Sequence, residues 1–305
     1  MKVFTVALRP RQALLSLMLA CGGPAAHDAR TAPPTFEIRL HRPSHVGERW
    51  HIVADGTQSE SKSTYTEQVV VKKSEKHQAI HFDATVTALA VEGGVVSRAE
   101  YLVTAFESVK NHEQLLAPGK HVVIQPAPKK DDTVIAVDGQ PATPDVREAL
   151  GIVMALTREP GDDDTVFGTH ERQPIGASWA VNGAAMRTVL VRNGASAPSD
   201  AIHGQVTLAS RTPDDCLDVR VDLHVDSFTP LAPLPEGSQI TKSKVLLQAK
   251  FALPIDTRLS LRRAELDVHT EFEAFVPVQS AEIAGVTVDS HTDHHRSTAY
   301  TPLAP

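Results

Sequence analysis

Toward the C-terminal end, acidic and imidazole side chains alternate with apolar ones along two successive segments. Glu265, Asp267, His269, Glu271 and Glu273 fall on one face of an extended chain, with Ala264, Leu266, Val268 and Phe272 on the other. The last segment repeats the pattern with Asp289, His291, Asp293 and His295. If the two pair antiparallel about a turn near residue 281, Glu271 faces His291, His269 faces Asp293 and Asp267 faces His295. Carboxylate opposite imidazole, three times over, leaves three chemistries open. These are solvated cross-strand pairs worth little each, a pH-responsive patch, or, with neutral imidazoles, a divalent metal such as zinc. The solvated face is the ordinary state of such a surface, so no metal or cofactor is expected. His269, His291, His295 and Asp293 are the residues a metal would draw on.

Elsewhere the sequence offers little chemistry. It has no Gly-x-Ser-x-Gly elbow, His-Glu-x-x-His pair, phosphate loop, dinucleotide glycine pattern or Cys-x-x-Cys. No enzyme is expected, although a hydrolase triad assembled from distant strands stays open. Cys216 follows Asp214 and Asp215, whose charge disfavours a thiolate, so it reads as structural. Asp162-Asp163-Asp164 lacks the alternating ligand spacing of a calcium loop and reads as a solvated loop.

The elements that must position these side chains are mostly strands. Period-two alternation recurs near 36–41, 47–58, 62–74, 77–91, 95–110, 120–125, 133–137, 177–192, 202–212, 216–228, 242–253, 257–276 and 285–299. Along 217–225 the odd positions are apolar and the even ones polar, so one face is dry and the other wet. Long one-sided strands twist and curl around the dry face. The fold class is therefore mainly β: curved antiparallel sheets in a half-barrel or open barrel, arranged as one continuous sheet or two similar halves. One amphipathic helix is predicted near 144–157, with Thr143 capping, Pro144 at its first position and Glu159-Pro160-Gly161 as its stop. Val46-Gly47-Glu48-Arg49-Trp50 is echoed by Ile175-Gly176-Ala177-Ser178-Trp179. Few aromatics on the dry faces leave either a tightly packed core or a groove wide enough for an acyl chain.

At the N-terminus, Lys2, Arg9 and Arg11 precede the apolar run 13–20, which is too short to span a bilayer. Met18-Leu19-Ala20-Cys21 resembles a lipobox, which implies cleavage before Cys21 and diacylation of its sulfur. An ordinary cleaved signal and a retained anchor remain the alternatives. The organisation expected is a signal peptide at 1–20, a lipidated cysteine and flexible tether at 21–35, and β halves at 36–165 and 166–305. Removing the signal leaves 27 basic side chains against 37 acidic ones, which opposes nucleic acid and anionic lipid surfaces.

The plan resembles a poorly characterised group of bacterial β-rich lipoproteins of unknown function, carried by the lipobox, the Trp50 and Trp179 elements and Val137-Asp138-Gly139 before the helix. Ala177 stands where that group usually has an acidic residue. The resemblance implies an envelope location but no catalytic residues, and Gly22 after Cys21 implies the outer membrane in a Gram-negative cell. Two functions follow as expectations. One is a non-enzymatic, membrane-tethered protein binding a hydrophobic or acyl-chain ligand in its curved sheet. The other is a structural or assembly lipoprotein holding an envelope protein partner, with its core filled.

Overall fold

The computed structural model describes residues 33–126, 133–156, 162–278 and 284–304. Cys21, the signal segment, most of the tether, the helix stop at Glu159-Pro160-Gly161 and the turn near residue 281 lie outside the described residues. Pro34–Pro305 form one compact unit.

In chain order the strands are β1 (Thr35–Phe36), β2 (Arg49–Thr66), β3 (Val69–Glu92), β4 (Val95–Ser108), β5 (Glu113–Gln114), β6 (His121–Pro126), β7 (Thr133–Val137) and β8 (Gln140–Pro141). Helices α1 (Pro144–Val153) and α2 (Asp162–Phe167) come next, followed by β9 (Gln173–Pro174), β10 (Ser178–Ala180) and helix α3 (Gly183–Arg192). The chain ends with β11 (Ala195–Ser196), β12 (Ile202–Arg211), β13 (Cys216–Asp226), β14 (Thr229–Pro230), β15 (Gln239–Pro254), β16 (Arg263–Pro277) and β17 (Gly285–Pro302).

Thirteen strands make one antiparallel sheet, ordered β10-β12-β13-β15-β16-β17-β2-β3-β4-β6-β7-β8 with β5 on β4, and it does not close into a barrel. The last strand, β17, pairs with the first long one, β2, from Thr287 opposite Tyr65 to Pro302 opposite Trp50. One sheet therefore runs unbroken through both halves of the sequence.

The dry face carries two clusters rather than one. Phe82, Val86, Phe106, Val122 and Ile135 pack under α1, with Phe82 and Phe106 edge to face at 5.1 Å between centroids. At the other end Leu208, Leu217, Val221, Leu223 and Leu253 pack with Met186 and Leu190 of α3. Full burial of a side chain such as Phe82 or Leu223 contributes about 1.5–3 kcal/mol.

Both halves turn into the sheet through the same corner. Gly47 and Gly176 sit at φ +83° and +85°, where L side chains are strained. Gly47 N–H donates to the Ala88 carbonyl at 2.8 Å, and Ala88 N–H donates to the Glu48 carbonyl at 3.0 Å. Gly176 N–H donates to the Leu208 carbonyl at 2.7 Å, and Leu208 N–H donates to the Ala177 carbonyl at 2.9 Å. The sequence echo is thus one backbone arrangement made twice.

Helix α1 starts as its cap predicts, with Thr143 Oγ1 accepting from Val146 N–H at 3.3 Å, and ends at Val153 instead of 157. Three expectations need correction. The predicted strand 177–192 is the three-residue β10 followed by α3, because Asn182 Oδ1 accepts from Ala185 N–H at 3.1 Å and caps a helix that buries Met186 and Leu190 four residues apart. Asp162-Asp163-Asp164 is no solvated loop: it opens α2, and Asp164 Oδ1 accepts from Leu40 N–H at 2.6 Å and His41 N–H at 3.2 Å. The described residues thus hold three α-helices where one was expected. Finally, 47–58 and 62–74 are not separate strands. β2 continues to Thr66, and the chain reverses at Glu67-Gln68, both at positive φ, as the type I′ hairpin turn requires.

Candidate functional site

The inner, dry face is uneven. On β15 and β16, Val245, Leu247, Leu266 and Phe272 border the α3-side core and stay partly exposed. Val268 continues this strip, opposite Leu247. Beside it runs a polar seam made by β17 and β2. Ser290 lies opposite Lys62, Thr292 opposite Glu60, His294 opposite Gln58 and Arg296 opposite Gly56. The seam explains why the dry face is not a single groove: polar side chains occupy both strands where the halves join.

The C-terminal end of α1 rests on this seam. His294 Nε2–H donates to the Ile152 carbonyl at 2.8 Å, and burial, the largest influence, lowers the His294 pKa. Gly56 is needed beneath it, since a Cβ there would stand 2.6 Å from the Ile152 oxygen. Lys76 of β3 pairs with Glu148 of α1.

The outer, wet face carries the imidazole and carboxylate rows. β16 and β17 pair in the register that alternation suggests, with Asp267 opposite His295, His269 opposite Asp293 and Glu271 opposite His291. Two of the three pairs touch: His295 Nδ1 to Asp267 Oδ1 at 2.7 Å and His269 Nδ1 to Asp293 Oδ1 at 2.6 Å. The third is longer, with His291 Nδ1 4.0 Å from Glu271 Oε1. Glu271 Oε1 instead lies 3.2 Å from His269 Nε2, while Glu271 Oε2 takes the Lys242 ammonium at 2.9 Å. His291 Nε2 turns to Asp289 Oδ1 at 3.1 Å.

The electrostatics follow these contacts. Hydrogen bonds to Asp293 and then to Glu271 raise the His269 pKa. Lys242 first and His269 second hold the Glu271 carboxyl at about 2. His269, Glu271 and His291 offer three ligand atoms within 4.8 Å of one another. Of the sequence candidates, His269 and His291 come together and Asp293 stands behind His269, whereas His295 is held apart on Asp267. Glu271 was missing from the candidate set. Its signal was present, since it lies two residues from His269 and opposite His291.

The histidine rows extend further than the C-terminal hairpin. His81 Nδ1 meets Asp55 at 2.7 Å and His51 Nε2 meets Asp83 at 2.8 Å, across β2 and β3. The rings of His203 and His224 stack at 5.5 Å. A depression of about 310 Å³ beside His269 has Leu246, His224 and Asp267 in its lining. Cys216 is buried, and burial first, then Asp214, pushes its thiol pKa up, as expected of a structural cysteine. Among the described residues, no helix is long and apolar enough to cross a membrane.

No family model and no curated protein matches the chain. Among solved structures, it is similar to lipovitellin, in a structure concerned with lipid–protein interactions, at 8% identity, TM-score 0.26, over 86% of this chain and 26% of that one. It is also similar to DynF from the dynemicin biosynthesis pathway of Micromonospora chersina (7% identity, TM-score 0.19, 90% of this chain and 92% of that one). A third is OpdQ of Pseudomonas aeruginosa (8% identity, TM-score 0.21, 84% and 98%). The chain thus spans about a quarter of lipovitellin. Scores this low do not establish a common fold.

Proposed function

We propose that this chain is a non-enzymatic, lipid-anchored envelope protein whose sheet receives an acyl-chain amphiphile on its inner face. The observation that supports it is the partly exposed apolar strip Val245, Leu247, Leu266, Val268 and Phe272, bordered by the polar seam of β17 and β2. An acyl chain gains from covering apolar area, at about 25 cal/mol per Å². The seam beside it offers hydrogen-bonding and charged groups to a polar end. The anchor rests on the lipobox resemblance at Cys21, and with it the outer-membrane, periplasmic-face location.

Native mass spectrometry of protein starting at Gly22, purified from an envelope-exporting host, tests the ligand. A discrete lipid-sized mass excess that disappears in Leu247→Glu is expected. A clean apo mass, with no uptake of fluorescent fatty acids, would overturn this reading. For the anchor, Cys21→Ser should release the protein from the membrane fraction; continued anchoring would overturn that part.

One observation favours the second reading, a structural or assembly lipoprotein holding a protein partner. Val69, Val70 and Val71 are 65%, 50% and 59% exposed beside the β2–β3 turn, an apolar run that water alone does not favour. Loss of a co-purifying envelope protein in Val70→Lys, with the apo mass unchanged, would support it.

A further inference from the structure

We propose that His269, Glu271 and His291 form a divalent-metal site, best suited to zinc, on the outer face of the sheet. It is independent of any ligand on the inner face.

The argument begins with ligand spacing. Zinc holds nitrogen and carboxylate oxygen at about 2.0–2.2 Å in a tetrahedron, which sets ligand–ligand separations of about 3.4 Å. His269 Nε2 and Glu271 Oε1 are already 3.2 Å apart, and His291 Nδ1 is 4.0 Å from the same oxygen. His269 and Glu271 thus stand at ligand spacing, and His291 has only to close toward them. Two ligands come from alternate positions of β16 and the third from the facing position of β17, so the sheet itself fixes the constellation.

Each imidazole is also oriented from behind. The nitrogen turned away from the cluster is held by a carboxylate in both cases: His269 Nδ1 by Asp293 at 2.6 Å, and His291 Nε2 by Asp289 at 3.1 Å. This is the carboxylate–histidine–metal arrangement, in which the outer carboxylate selects the tautomer that leaves the inner nitrogen free to ligate. Lys242 occupies only Oε2 of Glu271, leaving Oε1 to the metal. Three donors of nitrogen and oxygen type suit zinc, and on an exposed face the fourth position falls to water. A solvated cross-strand pair accounts for the Asp267–His295 contact, whereas at the cluster two imidazoles turn their inner nitrogens toward one carboxylate oxygen, and a metal there would displace to solvent the proton that lies between His269 Nε2 and Glu271 Oε1.

Isothermal titration of Zn²⁺ into untagged, purified protein is the test. One equivalent should bind. His269→Ala combined with His291→Ala should abolish binding, and Asp293→Asn should weaken it about 10–100-fold. His295→Ala, whose side chain rests on Asp267 outside the cluster, should bind as the wild type does. Should the double variant fail to fold, as judged by circular dichroism, Glu271→Gln removes the charged ligand with its shape retained and should weaken binding at least tenfold. Absence of one-to-one binding to the wild type would overturn the site. Undiminished binding in the folded variants, or an equal loss in His295→Ala, would overturn it as well.

Discussion

The two halves meet the sheet through the same corner and then part company. After Gly47, Trp50 leads into β2, which runs eighteen residues with β17 on one side and β3 on the other. After Gly176, Trp179 leads into β10, which lasts three residues at the sheet edge before Asn182 starts α3. Both tryptophans do the same work, each at the margin of its own core, and Trp179 Nε1–H also donates to the Phe167 carbonyl at 2.8 Å. What differs is the number of neighbouring strands. A strand paired on both sides has its backbone groups satisfied over its whole length, whereas an edge strand leaves half of them to water and ends where a helix cap competes.

The largest effects should come from the cores. Phe82→Ala should cost about 3–5 kcal/mol and Leu223→Ala about 2–5 kcal/mol. Because β17 and β2 join the halves, each variant should lower one shared calorimetric transition. Two separable transitions would break the picture of one cooperative sheet and make the halves independent. Next come the corners. Gly47→Ala and Gly176→Ala add a Cβ that meets nothing within 4 Å, so the cost is backbone strain alone, about 1 kcal/mol at each. Equal losses in urea unfolding would confirm that the corners are equivalent. A negligible loss at Gly176 alone would mean that the edge strand frays before the sheet unfolds.

The smallest effect separates the halves by pH. His294 supports only the α1 end, and burial holds it neutral with its folded pKa below the unfolded value near 6.5. The unfolded chain therefore binds the extra proton, so the stability His294 contributes is present above about pH 6.5 and lost as pH falls through the folded value. His294→Gln should flatten the pH dependence of the melting temperature below about pH 6.5. An unchanged slope would show that the loss arises elsewhere.

Alternation made β12, β13, β15 and β16 legible, because each has one wet and one dry face and a one-residue slip would exchange them. The same reasoning failed at Gln58-Ser59-Glu60-Ser61, which reads as a break. Both faces of β2 are polar there, so alternation vanishes although the strand continues. It failed again at 183–192, where Val189 and Val191 suit a strand as well as a helix and only the Asn182 cap decides. Of the candidate metal residues, the pairing of His269 with Asp293 follows from register alone. The inclusion of Glu271 and the exclusion of His295 depend on which rotamer each side chain adopts.

The sequence by itself determined the antiparallel β class, the α1 cap, the repeated glycine corner and the opposition of acid and imidazole on the last two strands, since these depend on local periodicity and backbone chirality. Only the tertiary structure decided that the chain's last long strand closes onto its first and that the dry face is divided by a polar seam. It alone decided, too, that Glu271 gathers two imidazoles and that His295 stands outside that cluster. Those outcomes depend on pairing between residues more than two hundred positions apart, or on contacts among side chains that share a face, and neither is encoded in any local stretch of sequence.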